Sequence, residues 1–208
     1  VRRLALLALL ASTTLLSASA RAETVMAEGG RRVAIVIGNN AGTVIDATGS
    51  TVLQPDLAFA DDDAVRMAQL LESLGHEVVV LTRPDAATAR HLDGLVPLPP
   101  TTTSLRAATA QLARGPRPTS LVLYYAGHGD AERGTGRLLL EDGVLRHGDL
   151  RQLVDDVGAV TSHVVLDACN AFFAVHARGP GGRAWRTVET AGEALRSERS
   201  DVGVFVST

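Results

Sequence analysis

The sequence contains no lysine and a single cysteine, and aromatic residues make up only 3% of it. All 20 basic side chains are arginine, which reads as codon bias rather than function. With one thiol, Cys169, there is no internal disulfide and no cysteine-based zinc site. So few rings leave Val, Leu and Ala to fill the core. Clustered basic residues with interleaved aromatics are missing, and the formal charge is -3. Neutralising phosphates takes a basic surface, so no nucleic-acid partner is expected. Internal repeats and long low-complexity tracts are also absent. What is present, 46% hydrophobic and 21% charged residues over 208 positions, describes a globular chain with one α/β domain.

Residues 1–22, VRRLALLALLASTTLLSASARA, read as a signal peptide. Arg2 and Arg3 form a positive start, Leu4 to Leu16 a 13-residue apolar stretch, and Ala18-Ser19-Ala20 and Ala20-Arg21-Ala22 offer small-x-small cleavage patterns. The apolar stretch is short for a bilayer span, although an uncleaved anchor is the alternative. Without a following cysteine, a lipoprotein anchor is excluded. The opening Val suggests an alternative start codon and hence a bacterium. Export to the periplasm or beyond is expected, with no stable membrane association after cleavage. Residues 23–32 are a polar lead-in, and 33–208 form the domain.

Within that domain, buried parallel strands are expected wherever apolar β-branched runs end at turn residues. Val33–Gly38, Glu77–Leu81, Ser120–Tyr125, His163–Leu166 and Val202–Val206 fit this pattern. Asp61–Leu74 has a helical apolar stripe, three acids at the start where the helix dipole favours them, and Gly75 as a cap. Thr102–Arg114, Asp149–Val157 and residues 188–198 read as further helices. Residues 39–57 read as a loop, and Arg137–Leu145 as a hairpin turned by Asp142-Gly143. Strands alternating with helices predict a doubly wound α/β sheet. Because buried strands are normally followed by more covering structure, the stop after GVFVST suggests a fragment of a longer chain.

Two positions directly follow predicted central strands, at the edge where open α/β sheets gather their catalytic groups. One is His128, in YYAGHGD; the other is Cys169, in DACNA. A buried, inert thiol is the plain alternative for a lone cysteine. If the two strands are parallel and adjacent, imidazole and thiol emerge on one rim. A thiol of pKa about 8.5 is mostly protonated at neutral pH, and a neighbouring imidazole can take its proton and later protonate a leaving amine. Gly127 and Gly129 flank the imidazole and leave room for a peptide backbone. Their N–H groups, with that of Cys169, are candidate oxyanion donors.

The ordered set VAIVIGNN, FADDDAVRMAQLLESLGHEV, YYAGHGD and DACNA, with Cys169 following His128 by 41 positions, resembles the caspase-like (clan CD) cysteine peptidases, a group that includes caspases, metacaspases and bacterial relatives. The resemblance runs from about Val33 to Ser207. It implies a caspase-hemoglobinase-like three-layer sandwich with a mainly parallel central sheet, polypeptide substrates, Cys169 as nucleophile and His128 as general acid/base. The oxyanion hole would be the backbone N–H groups of Gly129 and Cys169. True caspases carry Gln-Ala-Cys and cut after Asp; here Asp167 replaces the Gln. Metacaspase-like relatives have an acid there and another in an Asn-Asp-Ala motif, which Asp63-Ala64 matches. Asp63 and Asp167 would then line an S1 pocket for Arg or Lys. The alternatives are a dipole-stabilising helix acid for Asp63 and an orienting hydrogen bond within the loop for Asp167. The sequence departs from many relatives in Asn170 after the nucleophile.

Other readings are weaker. Gly38–Gly42 lacks the dinucleotide-binding pattern. His76 and His163 read as structural, and His147 and His176 as loop residues without metal spacing, so no catalytic metal or cofactor is expected. Asp61–Asp63 could touch Ca²⁺, but three adjacent acids more often mark a solvated helix start. The loop bearing Arg178, Arg183 and Arg186 is a mobile surface loop or a substrate-facing or self-cleavage loop. The rival to the endopeptidase is a catalytically silent caspase-like interaction or signalling module.

Overall fold

A computed structural model describes residues 30–45, 49, 51–132, 135–168 and 201–207. The expected signal peptide, Cys169 (read above as the nucleophile), the expected arginine-bearing loop, His176 and the expected helix at 188–198 lie outside the described residues.

Five parallel strands form the central sheet: β1 (Arg32–Asn39), β4 (Glu77–Thr82), β5 (Ser120–Gly127), β9 (Thr161–Asp167) and β10 (Val202–Ser207). Their order is β10-β9-β5-β1-β4. All five were legible as apolar runs, and each is observed one or more residues longer than expected. β1 is fully buried after Arg32, as a strand covered on both faces must be.

Alternation sends Ala34, Val36, Val80, Tyr124 and Ala126 to one face, where Ala60, Ala64, Ala68 and Leu71 of helix α1 (Ala60–Ser73) cover them. Val33, Ile35, Ile37, Leu123 and Tyr125 point to the other face. There they meet Leu105 and Leu112 of α2 (Thr102–Leu112) and Leu150, Leu153 and Val157 of α3 (His147–Val157). The domain is thus a three-layer α/β sandwich.

The approach of α1 to β1 depends on Gly38. A Cβ there would lie 2.2 Å from the Ala60 carbonyl oxygen and 2.6 Å from the Ala64 Cβ. The expected Gly75 follows the Leu74 cap with φ +79°, and α2 starts on the Thr101 hydroxyl, which accepts from the Ser104 N–H at 3.1 Å.

Three features depart from expectation. Residues 39–57 are not simply a loop, for they hold an antiparallel pair, β2 (Thr43–Ile45) and β3 (Thr51–Leu53). The Arg137–Leu145 hairpin, β7 (Thr135–Leu140) and β8 (Gly143–Leu145), turns at Glu141-Asp142 rather than Asp142-Gly143, because Leu140 pairs with Gly143. Asp142 is engaged elsewhere: its carboxylate accepts from the Thr102 N–H at 2.6 Å and the Thr102 hydroxyl at 2.9 Å, at the start of α2. A third strand, β6 (Gly129–Glu132), pairs with β7.

Candidate active site

β5 and β9 are neighbours and parallel, with Ala126 opposite Asp167, and Asn39 at the end of β1 opposite Gly127. The condition set by the sequence is therefore met for the two strands: they finish at one rim. His128 follows β5 directly and is 8% exposed. Gly129 opens β6 opposite Leu138, so the residues after the histidine are a paired strand.

The histidine is held at both ends. Its carbonyl oxygen accepts from the Leu139 N–H at 3.0 Å, and the buried Tyr125 hydroxyl lies 2.8 Å from this oxygen and 2.8 Å from the Leu139 carbonyl. Asn39, 1% exposed, donates its amide to the same Leu139 carbonyl at 2.8 Å. Gly127 makes this arrangement possible, since a Cβ there would fall 2.6 Å from the Tyr125 hydroxyl. Burial raises the Tyr125 pKa, so this hydroxyl keeps its proton for donation. At the ring, Nε2 lies 2.7 Å from the Pro55 carbonyl oxygen. A carbonyl only accepts, so Nε2 carries a hydrogen and Nδ1 is the atom left for chemistry.

Sequence reasoning missed Pro55. A backbone carbonyl leaves no mark in a side-chain pattern. Its position follows from the β2–β3 excursion, whose return is tied to the end of β1. The Gln54 N–H donates to the Gly42 carbonyl at 2.8 Å, the Gly42 N–H to the Asp56 carboxylate at 2.9 Å, and the Leu57 N–H to the Asn40 carbonyl at 2.8 Å. The Asn40 side chain extends the tie into α1, accepting from the Ala60 N–H at 2.8 Å and donating to Asp61 at 2.7 Å.

Asp63 and Asp167 lie on the same side of the sheet. Asp167 ends β9 on the face that carries Tyr124 and Ala126, and Asp63 lies in the first turn of α1, which covers that face. The Tyr124 pKa is pushed up to about 12, by burial first and then by the Asp167 and Asp63 carboxylates. Both alternatives for these residues are also visible. Asp63 is a first-turn helix acid. Asp167 accepts an orienting hydrogen bond, although from the Ser207 hydroxyl of β10 rather than within its loop.

The neighbouring acids correct the sequence reading. Asp61 is not solvated; it is 1% exposed and accepts from Asn40 and from the Asp85 N–H at 2.9 Å. Asp62 accepts from the Thr88 hydroxyl at 3.0 Å. Two of the three carboxylates considered for Ca²⁺ are thus engaged by protein donors. Among the described residues, no group of three or more His, Cys, Asp or Glu side chains could hold a metal. His76 lies against the Leu71 carbonyl and its pKa is lowered by burial, and the His163 ring packs 6.4 Å from that of Phe205. His147 is the first residue of α3, not a loop residue.

The profile of the caspase domain, peptidase C14, matches residues 31–205, and the chain belongs to this family. No curated protein matches the chain. Solved structures that resemble it include one described as the structure of pro-sf-caspase-1, at 17% identity and a TM-score of 0.46, over 86% of this chain and 61% of that one. The chain therefore spans about three-fifths of the length of that relative.

Proposed function

We propose that the protein is an exported cysteine-type endopeptidase that cuts after Arg or Lys, with Cys169 as nucleophile and His128 as general acid/base. The observation that carries this reading is the His128 ring. It sits at the carboxyl rim of the sheet with Nε2–H committed to Pro55, which leaves Nδ1 free to exchange a proton. Cys169 follows the end of β9, the strand paired to β5, by two residues. Two residues span at most about 7 Å, which supports pairing the thiol with this ring.

The chemistry then runs as acyl transfer. Nδ1 takes the thiol proton, and the thiolate adds to the scissile carbonyl carbon. The oxyanion is met by the backbone N–H groups of Gly129 and Cys169. Collapse expels the amine, which receives the proton from Nδ1, and leaves a thioester. Water, deprotonated by Nδ1, hydrolyses the thioester and restores the thiol. The fixed Nε2–H···O bond keeps one tautomer throughout and stabilises the imidazolium formed in each half.

Asp63 and Asp167 form the S1 site beside Tyr124. Two carboxylates favour a guanidinium, through bidentate bonds, and repel an acidic side chain. Residues 1–22 direct export, and neither Ca²⁺ nor another cofactor enters the mechanism. The test is hydrolysis of fluorogenic peptides with Arg or Asp before the scissile bond by the full-length protein. Arg should be preferred by ~100-fold or more, and Cys169→Ala should abolish turnover. Turnover of neither peptide would count for a silent interaction module instead.

A further inference from the structure

The rim holds a concavity beyond the histidine. A cavity of about 240 Å³ is lined by Asn39, Asn40, Asp56, Leu57, Arg83 and Glu141, among others. Asp56 directly follows Pro55, the ring's acceptor, and Asn39 lies opposite Gly127. The cavity therefore adjoins the catalytic histidine, on the side away from β9.

That side has a meaning if the endopeptidase reading holds, on which this inference rests. The acyl half of the substrate is bonded at the end of β9, and the leaving amine must face His128 at the end of β5. An extended substrate crossing the rim in this direction continues over the ends of β1 and β4, the next strands in the order. Neighbouring strands are about 4.8 Å apart and an extended peptide advances about 3.4 Å per residue. The cavity, one to two strand spacings past β5, is reached by the second and third residues after the scissile bond.

Its charge sets what it takes. Arg83 is ion-paired with Glu141, and its side chain is 67% exposed. One Asp56 oxygen accepts the Gly42 N–H, and the Asn39 and Asn40 amides are spent on the fold. Two carboxylates against one guanidinium leave one net negative charge. We propose that this cavity is the leaving-group-side subsite and selects a basic side chain at the second or third residue after the scissile bond.

Internally quenched peptides with Arg before the scissile bond, and Lys or Glu at those two positions, test it. The Lys-to-Glu ratio of kcat/KM should be about fivefold at low salt, the scale of a partly exposed charge pair, and should fall towards one as salt is added. Arg83→Ala should raise the ratio and Glu141→Gln should lower it towards one, because the first removes the compensating cation and the second leaves Arg83 to cancel Asp56. A ratio near one in the wild type, or the same ratio in both variants, overturns the subsite. Cleavage of no peptide at all refutes the peptidase reading. Fluorescence anisotropy of the same labelled peptides with Cys169→Ala protein then decides the cavity by itself. Tighter binding of the Lys peptide, weakened by Glu141→Gln, supports it, and no Lys-over-Glu difference overturns it.

Discussion

Replacing Gly127 by Ala should loosen the support beneath His128, and the cost can be built from its neighbours. The added Cβ would lie 2.6 Å from the Tyr125 hydroxyl, 2.9 Å from Cζ of the same ring and 3.0 Å from the Asn39 carbonyl oxygen. Carbon atoms settle at about 3.5–4.0 Å, so every one of these contacts is too close. Tyr125 is 1% exposed and its hydroxyl is hydrogen-bonded, so the ring has nowhere to go. Overpacking of this kind costs about 1–3 kcal/mol, and displacing the hydroxyl adds about 1 kcal/mol. The smaller entropy of an unfolded Ala returns about 0.4–1 kcal/mol. A net loss of about 1–3.5 kcal/mol follows. Tyr125→Phe should cost less, about 0.5–1.5 kcal/mol. Neither carbonyl it leaves is orphaned: that of His128 keeps the Leu139 N–H, and that of Leu139 keeps the Asn39 amide. In the double variant the closest clash is gone, so the two losses should fall short of their sum by about 1 kcal/mol or more. Urea unfolding of the three variants at constant m-value measures this. Losses that add to within about 0.3 kcal/mol would refute the proposed packing of Gly127 on the tyrosine hydroxyl.

Gly38→Ala should be still more damaging, at about 3 kcal/mol or above in the same assay, because its Cβ would lie 2.2 Å from the Ala60 carbonyl oxygen, closer than any contact at Gly127. Tyr124, whose pKa lies at about 12 against an ordinary 10, stabilises the fold fully below pH 10, and this contribution is lost as the pH rises through 12. Absorbance titration should bring its ionisation to lower pH in Asp63→Asn with Asp167→Asn while leaving it above 10, since burial is the largest cause. His76 works in the opposite direction. Its lowered folded-state pKa means that stability falls as the pH drops below 6.5, and His76→Gln should flatten the acid limb of a stability–pH curve.

Much of the fold was legible because parallel strands buried on both faces need continuous apolar runs. Val33–Gly38 and Ser120–Tyr125 announce themselves in this way. The order of the strands, and with it the adjacency of β5 and β9, is a tertiary fact that no local pattern contains. The β2–β3 pair was missed because three-residue strands such as Thr43–Ile45 are too short to show a period. The hairpin turn was displaced by one residue because Asp142 caps α2, a contact made across 40 residues of sequence. Asp61 looked solvated as one of three consecutive acids, but Asn40 and the Asp85 N–H supply the donors that let it be buried. At the site, the position of His128 at the rim was readable from its place after a strand. Its acceptor was not, because the functional atom of Pro55 is its backbone oxygen.

The most direct test of the dyad is the rate at which iodoacetamide alkylates Cys169 between pH 5 and 9. A thiol activated by the His128 ring should react rapidly near pH 7, with an apparent pKa below the ordinary value of about 8.5. His128→Ala should slow the reaction at pH 7 and return the midpoint to about 8.5. Equal rates and midpoints in the two proteins, or a thiol that reacts only after unfolding, would contradict the account.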